Sequence, residues 1–160
     1  MTLLSNPSPG VVLDATIAVS LSSKEKTTHA HVEAEVNRFL TLGADFFAPG
    51  VLVSETLFAL CRMLENDHTL TTTEHEQAVA DFHTMLGFIG SPPQGEITLV
   101  LRAEVIRGNY TCYRSSDALY IALAEQLSQT RTALLLTLDE GMQKQAARNA
   151  PSVTVQVIRP

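Results

Sequence analysis

Four acidic residues stand at distinctive points of the chain: Asp14, Glu55, Asp117 and Asp139. Asp14 ends the apolar run Val11-Val12-Leu13, and Asp139 ends the run from Ala133 to Leu138. Glu55 and Asp117 open two amphipathic segments. Carboxylates at strand ends and helix starts can converge, and converging carboxylates repel unless a cation or a shared proton relieves them. The chemistry to expect is therefore a metal site, with metal-assisted phosphate chemistry as its use. An all-oxygen ligand set favours a hard cation, Mg²⁺ or Mn²⁺, over zinc.

Each acid also has a plainer explanation. Asp in a helix first turn complements the helix dipole, which is enough to account for Asp117 taken alone. Glu55 has Phe58, Ala59 and Arg62 at helical spacing, so a metal or Arg62 is expected to relieve its charge. Asp14 and Asp139 are harder to explain away, because an acid ending a buried strand needs a loop or a ligand. Thr16 and Thr137 lie two residues from them and supply hydroxyls that can support carboxylates or metal-bound waters. Turn chemistry and β-propensity are the ordinary alternatives for these two threonines.

Other motifs offer no rival site. His29-x-His31 is wrongly spaced for one helix face, and His31-x-Glu33 lacks the later P-C-x-x-C of a deaminase. Phosphate-loop, dinucleotide and serine-hydrolase signatures are absent. Cys61 and Cys112 form neither a disulfide framework, a zinc spacing nor a redox motif, which fits a reducing compartment. The opening MTLLSNPSPG has no basic n-region or long apolar stretch, so no signal peptide is expected. No apolar run approaches the roughly 18 residues of a membrane span. The expectation is a soluble, cytoplasmic protein without a membrane partner, for which the sequon Asn109-Tyr110-Thr111 carries no meaning.

The net charge of −6 at first argues against nucleic acid. Setting the four acids aside leaves 13 acidic residues against 11 basic ones, so much of the acidity is the site itself. The charge is neutral on the question of a nucleic-acid partner.

Elements must place these acids. At 160 residues, with 45 % hydrophobic and 18 % charged residues, the chain suits a single domain over 1–160. Val11 to Leu13 predicts a buried strand, and Thr28 to Leu42 a helix with Gly43 at its C-terminal cap. Asp45 to Ala48 suits a short strand ended by Pro49-Gly50, and a helix follows from Val51 to Glu65. Thr72 or Thr73 is expected to cap the next helix, with Glu76 completing a capping box on Thr73. Gly87 to Gly95 predicts a loop. Ile97 to Gly108 is expected to be a short strand leading into a helix. Helices are predicted over Ser115 to Leu127 and Gln143 to Arg148, and strands over Ala133 to Leu138 and Val153 to Ile158. Alternating strands and helices imply an α/β fold with a mainly parallel sheet. Such sheets bind ligands beyond the carboxyl ends of their strands, which lets two residues 125 positions apart share a site.

Four stretches resemble the PIN-domain nucleases, in particular the VapC-type toxins of prokaryotic toxin–antitoxin pairs. Val11-Val12-Leu13-Asp14-Ala15-Thr16 is similar to the first strand with its D-x-[ST] motif. Ala48 to Glu55, followed by Ala59-Leu60, is similar to the helix bearing the essential Glu. Ser116-Asp117-Ala118-Leu119-Tyr120-Ile121-Ala122-Leu123-Ala124 and Leu136-Thr137-Leu138-Asp139 resemble the third and fourth acidic motifs. The segment between Glu55 and Asp117 is longer than the pattern, with the loop from Gly87 to Gly95 as the extra part.

The resemblance implies a PIN-like three-layer sandwich, with a central, mainly parallel twisted sheet flanked by helices. It implies Mg²⁺- or Mn²⁺-dependent endoribonuclease activity, hydrolysis that leaves a 5′-phosphate and a 3′-hydroxyl, a homodimer, and inhibition by a cognate antitoxin. Asp14, Glu55, Asp117 and Asp139 carry over as the catalytic and metal-binding set, with Thr16, Thr137 and Ser116 in support. Arg114, Lys24, Lys26 and Lys144 are candidates for RNA phosphate contacts, and Tyr110 and Tyr113 for base stacking or for packing. The alternatives are a PIN-domain RNase of RNA processing without an antitoxin, a non-catalytic PIN-like binding module and, last, a phosphatase-like metal hydrolase lacking its nucleophile motif.

Overall fold

A computed structural model describes residues 7–108, 112 and 115–160. Among these residues, five strands form one sheet: β1 (Gly10–Leu13), β2 (Asp45–Phe47), β3 (Ile89–Gly90), β4 (Ala133–Thr137) and β5 (Val155–Val157). Their order is β3-β2-β1-β4-β5 and every pairing is parallel. Among the described residues, seven helices surround the sheet: α1 (Ala15–Ser23), α2 (His29–Thr41), α3 (Val51–Glu65), α4 (Thr72–Leu86), α5 (Glu96–Arg107), α6 (Ser115–Ser128) and α7 (Glu140–Asn149). This is the α/β, PIN-like three-layer arrangement.

Strand alternation builds the two outer layers. Val12 and Leu135 sit side by side in register and face one core with Leu52 of α3, Leu99 and Ile106 of α5, and Ile121 and Leu123 of α6. Val11, Leu13 and Leu136 face the other, with Val32 and Phe39 of α2. Helix α1 serves both, giving Ala18 to the first core and Ile17 to the second. Helix α6 buries Ala118, Tyr120, Ile121, Ala122, Leu123, Ala124 and Leu127, so it is apolar nearly all round, as a helix packed on several sides must be. Truncating the fully buried Leu123 to Ala would cost about 2–5 kcal/mol through lost contacts and an unfilled cavity.

The strand order has one consequence for function. The chain runs outward from β1 through β2 to β3, then returns to β4 on the other flank of β1. The strand order therefore reverses between β1 and β4, where a parallel sheet opens a crevice at its carboxyl edge. Asp14 follows β1 and Asp139 lies two residues beyond β4.

The local elements correct the sequence reading at several points. Ala15 to Ser23, not assigned above, is a helix started by the Asp14 side chain. Residues 96–107 are wholly helical, with no leading strand. Leu99, Ala103 and Ile106 form its buried row, while Ile97, Leu101 and Val105 point outward. The missing strand lies instead inside the predicted loop, where Ile89 and Gly90 pair with Phe46 and Phe47. The capping box of α4 belongs to Thr71 and Glu74, two residues earlier than expected. Helix α7 starts at Glu140 rather than Gln143, and β5 is confined to Val155–Val157. Gly43, at φ +70, supplies the left-handed residue that ends α2. Among the described residues, no helix is long and apolar enough to cross a membrane.

Candidate active site

Three of the four acids lie at helix N-termini, and Glu55 lies one turn further in. Asp14 is the N-cap of α1, its Oδ1 accepting the Ile17 N–H at 3.2 Å. Asp139 is the N-cap of α7, its Oδ1 accepting the Gly141 N–H at 2.7 Å. Asp117 sits in the first turn of α6, and Glu55 in the second turn of α3. The positive end of each helix dipole stabilises a negative charge there.

Asp14 is the centre of the arrangement and is only 2 % exposed. Thr16 donates its hydroxyl to Oδ1 at 2.6 Å, and Thr137 donates its own to Oδ2 at 2.7 Å. Each threonine oxygen in turn accepts a backbone N–H from the turn after β4: Leu138 N–H on Thr16 at 3.0 Å, and Asp139 N–H on Thr137 at 2.9 Å. A backbone N–H can only donate, so each hydroxyl proton is left to point at the carboxylate. The supporting role expected of Thr16 and Thr137 therefore has a definite geometry: they transmit two backbone amides onto Asp14 and lock β1 to the β4–α7 turn.

Burial is the largest influence on Asp14 and raises its pKa from 3.8 to about 6. The bonds from Thr16, Thr137 and the Ile17 amide pull the other way, and the negative charge of Asp117 adds to the rise. Asp14 is thus held by donors suited to an ionised carboxylate, in surroundings that penalise the charge.

Glu55 is half-buried and accepts the Tyr120 hydroxyl on Oε2 at 2.6 Å. The relief expected from Arg62 does not come: Arg62 lies 3.6 Å from Asp67 instead. Tyr120 is fully buried on α6, and its hydroxyl is made harder to ionise first by burial, then by the Glu55 bond and by the charges of Glu55, Asp14 and Asp117. Three acids from three helices therefore act on one hydroxyl. Tyr120 was not singled out in the sequence, where it reads as one more apolar position of α6; its partner lies 65 residues away. Ser116 precedes Asp117 in the first turn of α6 and is half-buried.

The cation candidates fare unequally. Lys24 and Lys26 do not flank the acids. Helix α1 carries them away, so that Lys24 ends α1 as its left-handed cap at φ 53, roughly 15 Å along the helix from Asp14 at about 1.5 Å per residue. They border a cavity of about 460 Å³ with Ser22, Glu74 and Asp81, and none of the four acids lines it. Lys144 is exposed on α7, five residues beyond Asp139. Arg114, Tyr110, Tyr113 and the sequon at Asn109 lie outside the described residues.

Among the described residues, no three His, Cys, Asp or Glu side chains are brought together so that they could hold a metal ion. The donor chemistry still suits a hard, hydrated cation. Mg²⁺ keeps several of its waters and takes one or two carboxylates together with substrate phosphate, rather than a full protein cage. A buried carboxylate with a raised pKa and no cationic side chain among its hydrogen-bond donors is the kind of group such an ion would relieve.

No protein-family model matches the chain, and no curated protein matches it. Among solved structures, the fold is similar to that in the crystal structure of VapBC2 from Rickettsia felis bound to a DNA fragment from their promoter. The TM-score is 0.56 and the identity 11 %, over 94 % of this chain and 99 % of the other. The likeness is one of fold.

Proposed function

We propose that the protein is a divalent-metal-dependent endoribonuclease and the toxin of a toxin–antitoxin pair. One observation carries this reading above the others. The Asp14 carboxylate and the Asp139 backbone amide, from either side of the crevice between β1 and β4, share the Thr137 hydroxyl, while the charge of Asp117 acts on Asp14. The motif stretches that resemble VapC-type toxins hold these same acids, and the fold neighbour is a VapBC2 structure.

In this reading Asp14, Glu55, Asp117 and Asp139 hold Mg²⁺ or Mn²⁺. The ion's chemistry is to neutralise charge on a phosphodiester and to acidify a water near neutral pH. The chain's own part is positional. Thr16 and Thr137 fix both oxygens of Asp14, and the N-terminal dipoles of α1, α6 and α7 favour an anionic phosphate close by. Lys144, exposed on α7 five residues beyond Asp139, is the candidate for a contact to the RNA backbone. Exposed apolar rows fit protein partners, an antitoxin or a second copy. Ile97, Leu101 and Val105 make one on α5, and Leu40 and Phe88 make another.

The test is RNA cleavage by the purified protein with Mg²⁺ or Mn²⁺ and with chelator. Cleavage is expected only with the ion, leaving 5′-phosphate ends, and Asp14→Asn should abolish it without unfolding the protein. A 2′,3′-cyclic phosphate product, or an Asp14→Asn variant as active as wild type, overturns the assignment. Growth arrest on expression, relieved by a neighbouring gene, is the expected sign of the toxin role; cleavage without arrest would favour an RNA-processing enzyme.

A further inference from the structure

Tyr120 lies three residues after Asp117 on α6, so the two side chains share one face of that helix. From there its hydroxyl crosses to α3 and donates to Glu55 at 2.6 Å. The ring is 1 % exposed and sits in the core with Val12, Leu52 and Ile121, so its position is set by packing rather than by the bond it makes. Glu55 is the opposite case: a long side chain, half-buried, with rotamer freedom to lose. The hydroxyl that holds it also lies within reach of the Asp14 and Asp117 charges. A long carboxylate left unbonded samples rotamers directed out toward water. One fixed neutral donor opposes that drift.

We infer that Tyr120 is a positioning residue for the divalent cation, its hydroxyl holding the Glu55 carboxylate among the acids before the ion arrives. The inference rests on the metal-site reading above and adds to it a residue outside the acidic set. A preorganised ligand binds more tightly because less ordering accompanies binding. Removing the hydroxyl should therefore weaken cation binding while leaving the ligands themselves in place.

The experiment compares wild type with Tyr120→Phe, which keeps the ring and its packing. Binding of Mn²⁺ alone, in the absence of RNA, is followed by the electron-paramagnetic signal of the free ion. RNA cleavage is measured separately across Mn²⁺ concentrations. Tyr120→Phe should bind Mn²⁺ roughly tenfold more weakly, the weight of one hydrogen bond to a charged group. Its cleavage should recover to near the wild-type rate at saturating Mn²⁺. In a Glu55→Gln background the same change should have little further effect on Mn²⁺ binding. A wild-type affinity in Tyr120→Phe overturns the inference while leaving the metal site standing. So does a variant that only loses thermal stability. A wild-type protein that neither binds Mn²⁺ nor cleaves RNA overturns the metal-site reading and the inference with it. Wild-type protein supplies a check independent of the variant's folding: the Tyr120 ring resonance should move on adding Mg²⁺, and a resonance that stays fixed up to saturation counts against the role.

Discussion

Thr137 donates its hydroxyl to Asp14 across 2.7 Å and 123 residues of sequence, and accepts the Asp139 backbone N–H in return. The pair ties the ends of β1 and β4 together where the sheet order reverses. A single oxygen thus serves two ends that both need satisfying: a buried carboxylate and the first amide of the turn into α7. Thr16 does the same for the Leu138 amide.

Replacing Thr137 by Val keeps the side chain's shape and removes the hydroxyl. Asp14 Oδ2 then loses its donor in a buried setting and the Asp139 amide its acceptor in a part-buried one. Thr137→Val should lower the free energy of unfolding by about 1–3 kcal/mol, the penalty of polar groups left unpaired. Thr137→Ser, which restores the hydroxyl, should recover most of it. Urea denaturation of the three proteins decides the matter. Equal midpoints for wild type and Thr137→Val would show that water replaces the hydroxyl at no loss.

Asp14 gives the stability of the metal-free protein a definite pH dependence. Burial raises its folded-state pKa from 3.8 to about 6, so between these values the folded state binds the extra proton and the unfolded state does not. The contribution of the neutral carboxyl is therefore fully present below about pH 3.8 and is lost as pH rises toward about 6. Asp14→Asn has no such proton. In chelator, its stability relative to wild type should improve with rising pH across that window, by about 3 kcal/mol in all at roughly 1.4 kcal/mol per pKa unit. Adding Mn²⁺ above about pH 6 should favour wild type and shrink the difference. Chemical denaturation at a series of pH values in chelator measures it, and a difference that stays flat would mean that Asp14 is not charged at a penalty.

The sequence shows Asp14 and Asp139 clearly because an apolar run that stops at an acid is a local signal, and both runs are strands of the sheet. Helix α3 is legible to the residue for the same reason, its Val51 to Glu65 pattern being helical without outside help. Helix α1 is not. Ala15 to Ser23 is ATIAVSLSS, poor in strong helix formers, and its helicity comes from the Asp14 cap and the burial of Ile17 and Ala18. Missing that helix also misplaced Lys24 and Lys26, which look close to Asp14 in sequence and are a helix length away. Strand β3 is two residues whose pairing is supplied by Phe46 and Phe47, so nothing in its own Gly- and Pro-rich surroundings announces it. Residues 96–107 carry enough β-branched and apolar side chains to suggest a strand, but burial of Leu99, Ala103 and Ile106 on one side selects the helix. Tyr120 was hidden because the bond that distinguishes it from its apolar neighbours depends on packing between α3 and α6.

The start of α3, the helix that carries Glu55, is held from a distance. Its N-cap is Gly50, which has no side chain to satisfy the first amides. Glu96, the first residue of α5, supplies the acceptor instead, its Oε1 taking the Gly50 N–H at 2.7 Å. A carboxylate there also complements the helix dipole. Glu96→Ala should therefore cost about 1 kcal/mol, the usual weight of a helix N-cap. It should also free the first turn of α3 to fray. Glu96→Gln keeps an acceptor and loses the charge, so it should fall between the two. Hydrogen exchange of the amides at 50–54 gives the specific readout, because fraying speeds exchange there and leaves the middle of α3 unchanged. Uniform exchange rates across wild type and Glu96→Ala would show that solvent caps Gly50 as well as the glutamate does.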